Sequence, residues 1–266
     1  MSNITVTHAD SGLVQAEALR RERVTPHMIR VTIGGDDLAR FAYRGFDQWF
    51  RLALPVHGEG GLDRMPQRFG VGGYLKYLRV PKGSRPVVRN YTVRAFRAEE
   101  RELDIDFVVH GDDGIAGPWA ARVEPGERVA FIDQGCGWAP VPEASRHLIV
   151  ADESGLPAAL GILRDMPRDS VGDAVIELFD ERDRQDVDAP DGVAVHWLVR
   201  PAGSVPGAAA LPLTRALEVD PEGLYGFAVG EQALASGVRR HLVGERGVPK
   251  KSVTFSGYWR LGRSAP

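Results

Sequence analysis

The stretch that decides the fold is "RPVVRNYTVR", residues 85–94. Its Val, Tyr and Thr residues favour a β-strand, and Pro86 suits the start of a strand rather than its middle. Because strand side chains alternate between two faces, Arg89 and Tyr91 are expected on the same side. The stretch therefore predicts a strand that presents a positive charge beside an aromatic ring.

Around this strand, residues 1–143 contain short runs of alternating polar and apolar residues that are separated by turns. They include "MIRVTI", "WFRLALPV", "LDIDFVVHG" and "ERVAFID". Such runs predict a small antiparallel β-barrel or sandwich. In "ELDIDFVVH", Leu103, Ile105 and Phe107 fall on one face and Asp104 and Asp106 on the other, which is typical of a half-buried strand.

Residues 144–266 have a different pattern, in which nearly continuous apolar runs are followed by helical stretches. The runs are "HLIVAD", "AVIELFD", "VAVHWLVR", "YGFAVG" and "SVTFSGYW". Strands buried on both faces that alternate with helices predict a parallel α/β sheet. The expected organisation is thus an N-terminal β-domain, 1–143, followed by an α/β-domain, 144–266.

The connection between residues 57 and 86 carries no strand or helix pattern that we can assign. It contains the glycine-rich tracts "HGEGGLDRM" and "FGVGGYLKYL". Long connections of this kind are either surface insertions or functional segments, and the sequence leaves both interpretations open.

Composition limits the classes of function. The chain of 266 residues has a formal net charge of −3, which argues against nucleic acid as a partner. The N-terminal residues lack a signal-peptide pattern, and no run approaches the ~20 apolar residues of a membrane span. We therefore expect a cytoplasmic protein without membrane insertion. The single cysteine, Cys136, has no nearby base, and the histidines show no metal-ligand spacing.

A second candidate site is the glycine-rich turn "HGDDGIAGPWAARV", residues 110–123, which joins a strand to a helix. Backbone N–H groups at a helix start favour phosphate, although such a turn alone is often a plain connection. Together with the strand "RPVVRNYTVR", the turn is stronger evidence for a dinucleotide site. Arg89 is suited to a phosphate, Tyr91 to stacking on a flat ring, and the helix start to a pyrophosphate, as in a flavin dinucleotide site.

With these motifs, the chain resembles the siderophore-interacting protein family, within the ferredoxin-reductase-like flavoproteins. The resemblance is carried, in family order, by "VTPHMIRVTIGGDDLARF", "RPVVRNYTVR", "LDIDFVVHGDDGIAGPWAARVEPGERV", "VADESGLPAALGIL" and "AVGEQALASGVRRHLVGERGVPKKSVTFSGYWRLG". It implies an antiparallel FAD-binding β-barrel followed by a parallel-sheet domain that binds NADH or NADPH.

The resemblance also implies roles for individual residues at the flavin. Arg89 would reach the FAD phosphates, Tyr91 would pack against the isoalloxazine, and Thr92 would lie near its reactive edge. The dinucleotide loop would comprise His110, Gly111, Gly114, Ala116, Gly117 and Trp119. Relatives often have Ser or Thr where this chain has Gly117, so one hydroxyl contact to phosphate is missing here.

In the second domain, Asp152, Glu153 and Ser154 follow the first apolar strand, at the edge of the sheet where α/β proteins bind ligands. Gly230 and Glu231 occupy a corresponding strand-to-helix position. Glu153 is expected to act with Tyr91 and Thr92 in catalysis. A helix-capping role for the first three residues remains compatible with these patterns, and since GxGxxG is absent, the nicotinamide site rests on the resemblance.

Two opposing signals concern the choice of nicotinamide. In "ELFDERDR" the carboxylates of Asp180 and Glu181 favour a ribose hydroxyl, and hence NADH. Arg182 and Arg184 favour the additional phosphate of NADPH. We lean towards NADH, and both cofactors remain candidates.

The implied activity is reduction of Fe(III) in a ferric siderophore by NAD(P)H through FAD. Reduction of another small acceptor, such as a quinone, and siderophore binding without turnover remain alternatives. Relatives place basic residues at the positions of Arg51 and Arg260, which are the predicted substrate contacts. A third basic position of some relatives, near Gln134, is not basic here, which favours a hydroxamate or mixed-ligand chelate over a highly charged tris-catecholate.

Overall fold

The computed structural model describes residues 2–4, 6, 11–56, 58–68, 71–109 and 114–262. Two residues of the predicted dinucleotide loop, His110 and Gly111, lie outside this described part. The other predicted site residues lie within it.

Contacts divide the chain into two units. One comprises Val6–Arg44 and Gln48–Cys136, and the other comprises Met1–Thr5, Gly45–Asp47 and Gly137–Pro266. The predicted domain boundary, residue 143, lies between the last strand of the first unit and the first strand of the second. It stays a prediction.

The first unit is built on a seven-stranded antiparallel sheet. Its helices and strands are β1 (Leu13–Thr25), β2 (Met28–Gly34), β3 (Trp49–Leu54), α1 (Val71–Leu78), β4 (Val87–Thr92), β5 (Ala95–Arg97), β6 (Glu102–Val108), α2 (Ala116–Arg122) and β7 (Arg128–Gly135). Short 3-10 helices span Asp36–Arg40 and Glu59–Arg64. The strand order is β4-β3-β7-β1-β2-β6-β5.

The sheet must curl, because its two edge strands are nearly consecutive in the chain. Only Val93 and Arg94 join β4 to β5, which limits the distance between Thr92 and Ala95 to about 11 Å. In a flat sheet, edges six strand spacings apart would be separated by about 29 Å. The Arg94 backbone N–H donates to the carbonyl of Asp104 in β6 at 2.9 Å, as this curvature requires.

Strand β6 is buried on both faces, more deeply than its alternating pattern predicts. Leu103, Ile105 and Phe107 lie in the main core of the unit. On the opposite face, Asp106 accepts two hydrogen bonds from Arg30 at 2.7 and 2.9 Å, and Asp104 accepts two from Arg97 at 2.7 Å. Cations from neighbouring strands cover these carboxylates, so a polar face is buried without unpaired charge.

The glycine-rich connection 57–86 contains an α-helix, α1, which the sequence pattern did not predict. Gly72 and Gly73 weaken the helix signal. A Cβ at Gly73 would lie 1.8 Å from the backbone oxygen of Arg68, and one at Gly61 would lie 1.9 Å from that of Ser84. Close approaches of the backbone thus account for these two glycines.

The second unit is built on a five-stranded parallel sheet of order β10-β9-β8-β11-β12. Its helices and strands are β8 (Arg146–Ala151), α3 (Leu156–Asp165), β9 (Val171–Leu178), β10 (Gly192–Val199), α4 (Ala210–Ala216), β11 (Leu224–Glu231), α5 (Gln232–Arg240) and β12 (Val253–Trp259). Two 3-10 helices, Glu181–Asp183 and Lys250–Ser252, and a π-helical turn, His241–Glu245, complete it.

The chain runs outward from β8 to β10 on one side of this sheet and then resumes at β11 on the other side of β8. The point where the strand order reverses therefore lies between β8 and β11, and α/β proteins bind ligands at the carboxyl ends of such strands. The prediction of an antiparallel N-terminal domain followed by a parallel-sheet domain is confirmed. Within the described residues, each helix is too short or too polar to cross a bilayer.

Asp47 anchors the short segment Gly45–Asp47 to the second unit. Its carboxylate is fully buried and accepts hydrogen bonds from the backbone N–H groups of Gly137, at 2.9 and 3.1 Å, and Trp138, at 2.9 Å. Burial raises the pKa of Asp47 to about 6, although these hydrogen bonds act in the opposite direction.

We expect Asp47 to make the protein less stable as the pH rises. Because its folded pKa exceeds its unfolded value of about 3.9, the native state binds the proton more tightly, and this stabilisation is lost as the pH passes through about 6. Between about pH 5 and 8, the free energy of unfolding of Asp47→Asn should therefore fall by roughly 1–1.5 kcal/mol less than that of the wild type. Urea unfolding at both pH values measures it, with the exposed Asp169→Asn as control; an unchanged pH slope would contradict the prediction.

Candidate functional site

The first candidate site lies at the end of β4, an edge strand that pairs with β3. Arg89 is opposite Leu52, Tyr91 is opposite Phe50, and Thr92 closes the strand. The side chains of Arg89 and Tyr91 are half-buried, whereas Thr92 is buried. This pairing fixes the backbone of the predicted flavin contacts.

Tyr91 is held by an aromatic row that crosses the first unit. Its ring centroid is 4.3 Å from that of Phe107 in β6, and the Phe107 centroid is 5.5 Å from that of Trp119 in α2. Burial raises the pKa of the Tyr91 hydroxyl, while the nearby charge of Arg89 lowers it by a smaller amount. Tyr91 therefore stays neutral and presents a fixed aromatic surface with a cation close to it.

The same row connects Tyr91 to the start of α2. Gly114 has a φ of +92°, and a Cβ there would meet nothing within 4 Å, so the backbone before the helix is open to a ligand. No side chain of the described residues caps α2. The backbone N–H groups of Ala116 and Gly117 are thus suited to phosphate oxygens. A ring platform, a cation and these donors together fit FAD.

Trp119 has a different surrounding from the other predicted flavin contacts. Its side chain is 1% exposed, and its backbone N–H donates to the carbonyl of Ile115 at 3.1 Å. The structure places it in the core behind Phe107, where it supports Tyr91 from a distance. Direct contact of Trp119 with a cofactor stays a prediction.

The second candidate site lies in the parallel-sheet unit, at the carboxyl ends of β8 and β11. Asp152 is fully buried. Its Oδ1 accepts hydrogen bonds from the N–H and hydroxyl of Ser154, at 2.9 and 2.5 Å, and from Gly155 N–H at 3.2 Å. Its Oδ2 accepts from Glu231 N–H at 2.6 Å and Trp259 Nε1 at 3.2 Å. Asp152 therefore joins the ends of three strands.

Gly230 and Glu231 complete this junction. Gly230 has a φ of +125°, and a Cβ there would lie 2.5 Å from the Asp152 carboxyl carbon, so only glycine fits. The Glu231 carboxylate accepts hydrogen bonds from Ala233 and Leu234 N–H and caps α5. Asp152 bonds the turn that precedes α3, and the N-cap residue of that helix, Gly155, has no side-chain hydrogen bond. Contact of Asp152 and Glu231 with a nicotinamide stays a prediction.

Glu153 belongs to a buried ionic network that the sequence did not reveal. Arg200, directly after β10, donates to both carboxylate oxygens of Glu153 at 2.7 and 2.8 Å and lies 3.4 Å from Glu177 in β9. Glu177 also accepts N–H bonds from Gly207, Ala209 and Ala210. Burial raises the pKa of Glu153, and the hydrogen bond from Arg200 opposes this effect.

Arg200 is the residue of this region that sequence reasoning missed. The available signal was an arginine that ends the apolar run "VAVHWLV", since a cation next to a buried strand needs carboxylate partners. Its guanidinium also lies 4.2 Å from the Phe179 ring centroid. Arg200 therefore holds the carboxyl ends of β8, β9 and β10 together.

The acidic and basic residues that predicted the nicotinamide type pair with one another. Asp180 caps the 3-10 helix and binds Arg182 at 2.6 Å, and Glu181 binds Arg184 at 2.9 Å. These ion pairs are exposed and hence weak. A ligand could therefore recruit either partner of each pair, and the preference for NADH stays a prediction.

The two predicted substrate contacts, Arg51 and Arg260, lie in different units. Arg51 in β3 is half-buried, opposite Asn90 and Ile132, and burial lowers its pKa. Arg260 is exposed directly after β12. Gln134 is buried, and its amide donates to the carbonyls of Ile132 and Asp133. Their contact with a siderophore stays a prediction.

The first domain is antiparallel and has a flavin-type site, and the second is a parallel sheet whose strand order reverses between β8 and β11. This combination defines the class of two-domain FAD-dependent reductases. The chain belongs to the siderophore-interacting protein family. Residues 17–137 match the siderophore-interacting FAD-binding domain, and residues 144–262 match the siderophore-interacting protein domain.

Relatives with named activities match nearly the whole chain. Ferric vibriobactin reductase ViuB of Vibrio cholerae is 31% identical over 92% of this chain and 89% of its own. The NADPH-dependent ferric-chelate reductase of Escherichia coli is 29% identical over 91% and 90%. Among solved structures, a siderophore utilization protein from T. fusca has a TM-score of 0.77 and 32% identity, covering 98% of this chain and 97% of that one.

Proposed function

We propose that this protein is an FAD-dependent NAD(P)H:ferric-siderophore oxidoreductase that reduces chelated Fe(III) to Fe(II). The observation that carries the proposal is the row Tyr91–Phe107–Trp119, which joins the Arg89 strand to the open start of α2. The family and the names of two relatives support the same activity. As the sequence predicts, the reaction is proposed to occur in the cytoplasm.

The residues of the first unit would hold the cofactor. Arg89 binds phosphate, Tyr91 packs on the isoalloxazine, and the N–H groups of Ala116 and Gly117 bind phosphate oxygens. Thr92 is buried at the end of β4 and contributes its hydroxyl to the reactive edge. Bound FAD accepts two electrons and releases them singly, which a nicotinamide does not readily do.

The residues of the second unit would bind the nicotinamide dinucleotide where the strand order reverses, at the carboxyl ends of β8 and β11. Ser154 and Glu231 shape the strand ends through hydrogen bonds to Asp152, and Gly230 leaves room for its carboxylate. Glu153 is proposed to act in nicotinamide binding and reduction, in an orientation that Arg200 maintains. Since reduced iron is a weaker Lewis acid, the hard oxygen ligands of the chelate release it more easily.

An anaerobic titration tests this function. The flavin absorbance of the purified protein should bleach on addition of NADH or NADPH, and a ferric trihydroxamate should restore it while a chromogenic chelator traps Fe(II). Reoxidation by a soluble quinone but not by the ferric chelate would favour the quinone reductase. Absence of bleaching with either nicotinamide would favour a siderophore-binding protein without turnover.

We expect Arg51→Ala and Arg260→Ala to raise the KM for an anionic ferric chelate. In a chain of net charge −3, recruitment of an anion depends on local positive charge, so the effect should grow at low salt. Steady-state kinetics at several ionic strengths measure it, and flavin reduction by the nicotinamide is the internal control. An unchanged KM in both variants, or wild-type kinetics that do not depend on salt, would contradict electrostatic recruitment.

A further inference from the structure

Helix α1 exposes an unusual set of apolar side chains. Tyr74, Leu75 and Leu78 are 54%, 52% and 40% exposed. Other large exposed hydrophobic residues of the described chain are spread over many elements, whereas these three lie within one eight-residue helix. Clusters of this type mark interaction surfaces more often than isolated apolar residues do.

The exposure does not result from a loosely attached helix. Tyr77 of α1 packs against a small core that contains Leu62 and Met65, and its hydroxyl donates to the carbonyl of Pro86 at 3.0 Å. Arg85 donates to the carbonyl of Val80 at 2.8 and 2.9 Å and lies 5.4 Å from the Tyr77 ring centroid. Tyr77 therefore anchors the helix, while Tyr74, Leu75 and Leu78 stay exposed.

Basic residues border the apolar ones. Residues 71–85 contain four basic residues and no acidic residue, although the whole chain has a net charge of −3. Lys76, Arg79 and Lys82 are exposed, and among the described residues none of these three forms an ion pair. At 100° per residue, Leu75, Leu78 and Tyr74 occupy one arc of α1 and Lys76 an adjacent one, and Arg79 follows the helix directly.

From this arrangement we infer that the α1 surface, defined as Tyr74, Leu75, Leu78, Lys76, Arg79 and Lys82, docks the protein on an anionic phospholipid bilayer. Leu75 and Leu78 would enter the boundary between headgroups and acyl chains, Tyr74 would lie among the headgroups, and the cations would meet lipid phosphates. The binding is peripheral and requires no membrane-spanning segment.

The charges favour a bilayer over a second copy of this chain. A symmetric pair that used the α1 surface would bring the same cations face to face, without acidic residues of 71–85 to neutralise them. Three apolar side chains also provide less contact than stable protein interfaces require. Lipid headgroups supply the complementary negative charge, and a bilayer accepts short apolar insertions.

The test uses the full-length, flavin-loaded protein in flotation assays. We expect binding to equimolar phosphatidylglycerol–phosphatidylcholine vesicles to be at least tenfold tighter than binding to pure phosphatidylcholine vesicles and to weaken as salt rises. Lys76→Glu with Arg79→Glu, and separately Leu75→Ser with Leu78→Ser, should each reduce it by roughly tenfold or more. Neither pair should change flavin reduction in solution, which also verifies folding.

The matched control is Val205→Ser with Leu261→Ser, two apolar residues that are 59% and 52% exposed elsewhere in the chain. This control should bind vesicles like the wild type. Equal affinity for both kinds of vesicle, no binding to either, or equal loss in the control pair would overturn the inference. Light scattering that showed a dimer abolished by Leu75→Ser with Leu78→Ser would instead assign the α1 surface to self-association.

Discussion

Replacing Arg200 with methionine is expected to lower the free energy of unfolding by about 3–5 kcal/mol at neutral pH. Arg200 is the cation between Glu153 and Glu177, and all three side chains are buried. Without it, two carboxylates remain in a medium where an unpaired charge is costly. The loss should exceed that of a typical point mutation and appear in urea denaturation.

Two further variants separate loss of charge pairing from loss of packing. Glu153→Met combined with Arg200→Met removes both members of the closest pair and should cost less than Arg200→Met alone, because buried ion pairs are often replaceable by apolar residues of similar volume. Arg168→Met, which breaks an exposed pair with Asp188 at 3.0 Å, should cost less than about 1 kcal/mol. If the double variant is the less stable one, packing rather than charge explains the effect.

The pH dependence of the Arg200→Met defect provides an independent check. Burial already raises the pKa of Glu153, with the hydrogen bond from Arg200 opposing it, so removal of Arg200 should raise that pKa further. Protonation of Glu153 then relieves the unpaired charge at low pH. The defect should therefore shrink as the pH falls from about 8 to 5, and a defect that is equal at both pH values would contradict this account.

Removal of Arg89 and Tyr91 together is expected to produce the largest effect on the cofactor. Loss of a charge-assisted hydrogen bond to phosphate costs roughly 1.5–3 kcal/mol, which corresponds to about 10- to 100-fold weaker FAD binding for Arg89→Ala. Tyr91→Ala removes the ring that Phe107 supports, so the double variant should lose more FAD than either single variant. Flavin content after purification and fluorescence titration of the apoprotein measure the loss.

Conservative variants distinguish a binding role from a folding role. Tyr91→Phe retains the ring and should keep FAD, with at most a spectral shift, whereas Tyr91→Ala should not. Arg23→Ala removes an exposed arginine of β1 and should leave flavin content unchanged. Full occupancy and unaltered spectra in both Arg89→Ala and Tyr91→Ala would show that the strand is structural.

Sequence patterns predicted much of the sheet architecture because they depend on local periodicity. Alternation along "ELDIDFVVH" placed Leu103, Ile105 and Phe107 in the core correctly, and the apolar runs after residue 143 correspond to parallel strands. The same reasoning failed for α1, since two glycines interrupt the helical signal. One of them, Gly73, is required by the close approach of the Arg68 backbone, a contact that no local pattern reports.

The sequence by itself indicated most of the strands, though not β1, and showed that a cation and an aromatic ring share β4. Only the tertiary structure decided which distant groups meet. Arg200 lies 47 residues from Glu153 and 23 from Glu177, and Phe107 supports Tyr91 from a different strand. Periodicity acts over two to four neighbouring residues, whereas the partner of a buried charge or ring depends on strand order, which is set by packing of the whole sheet.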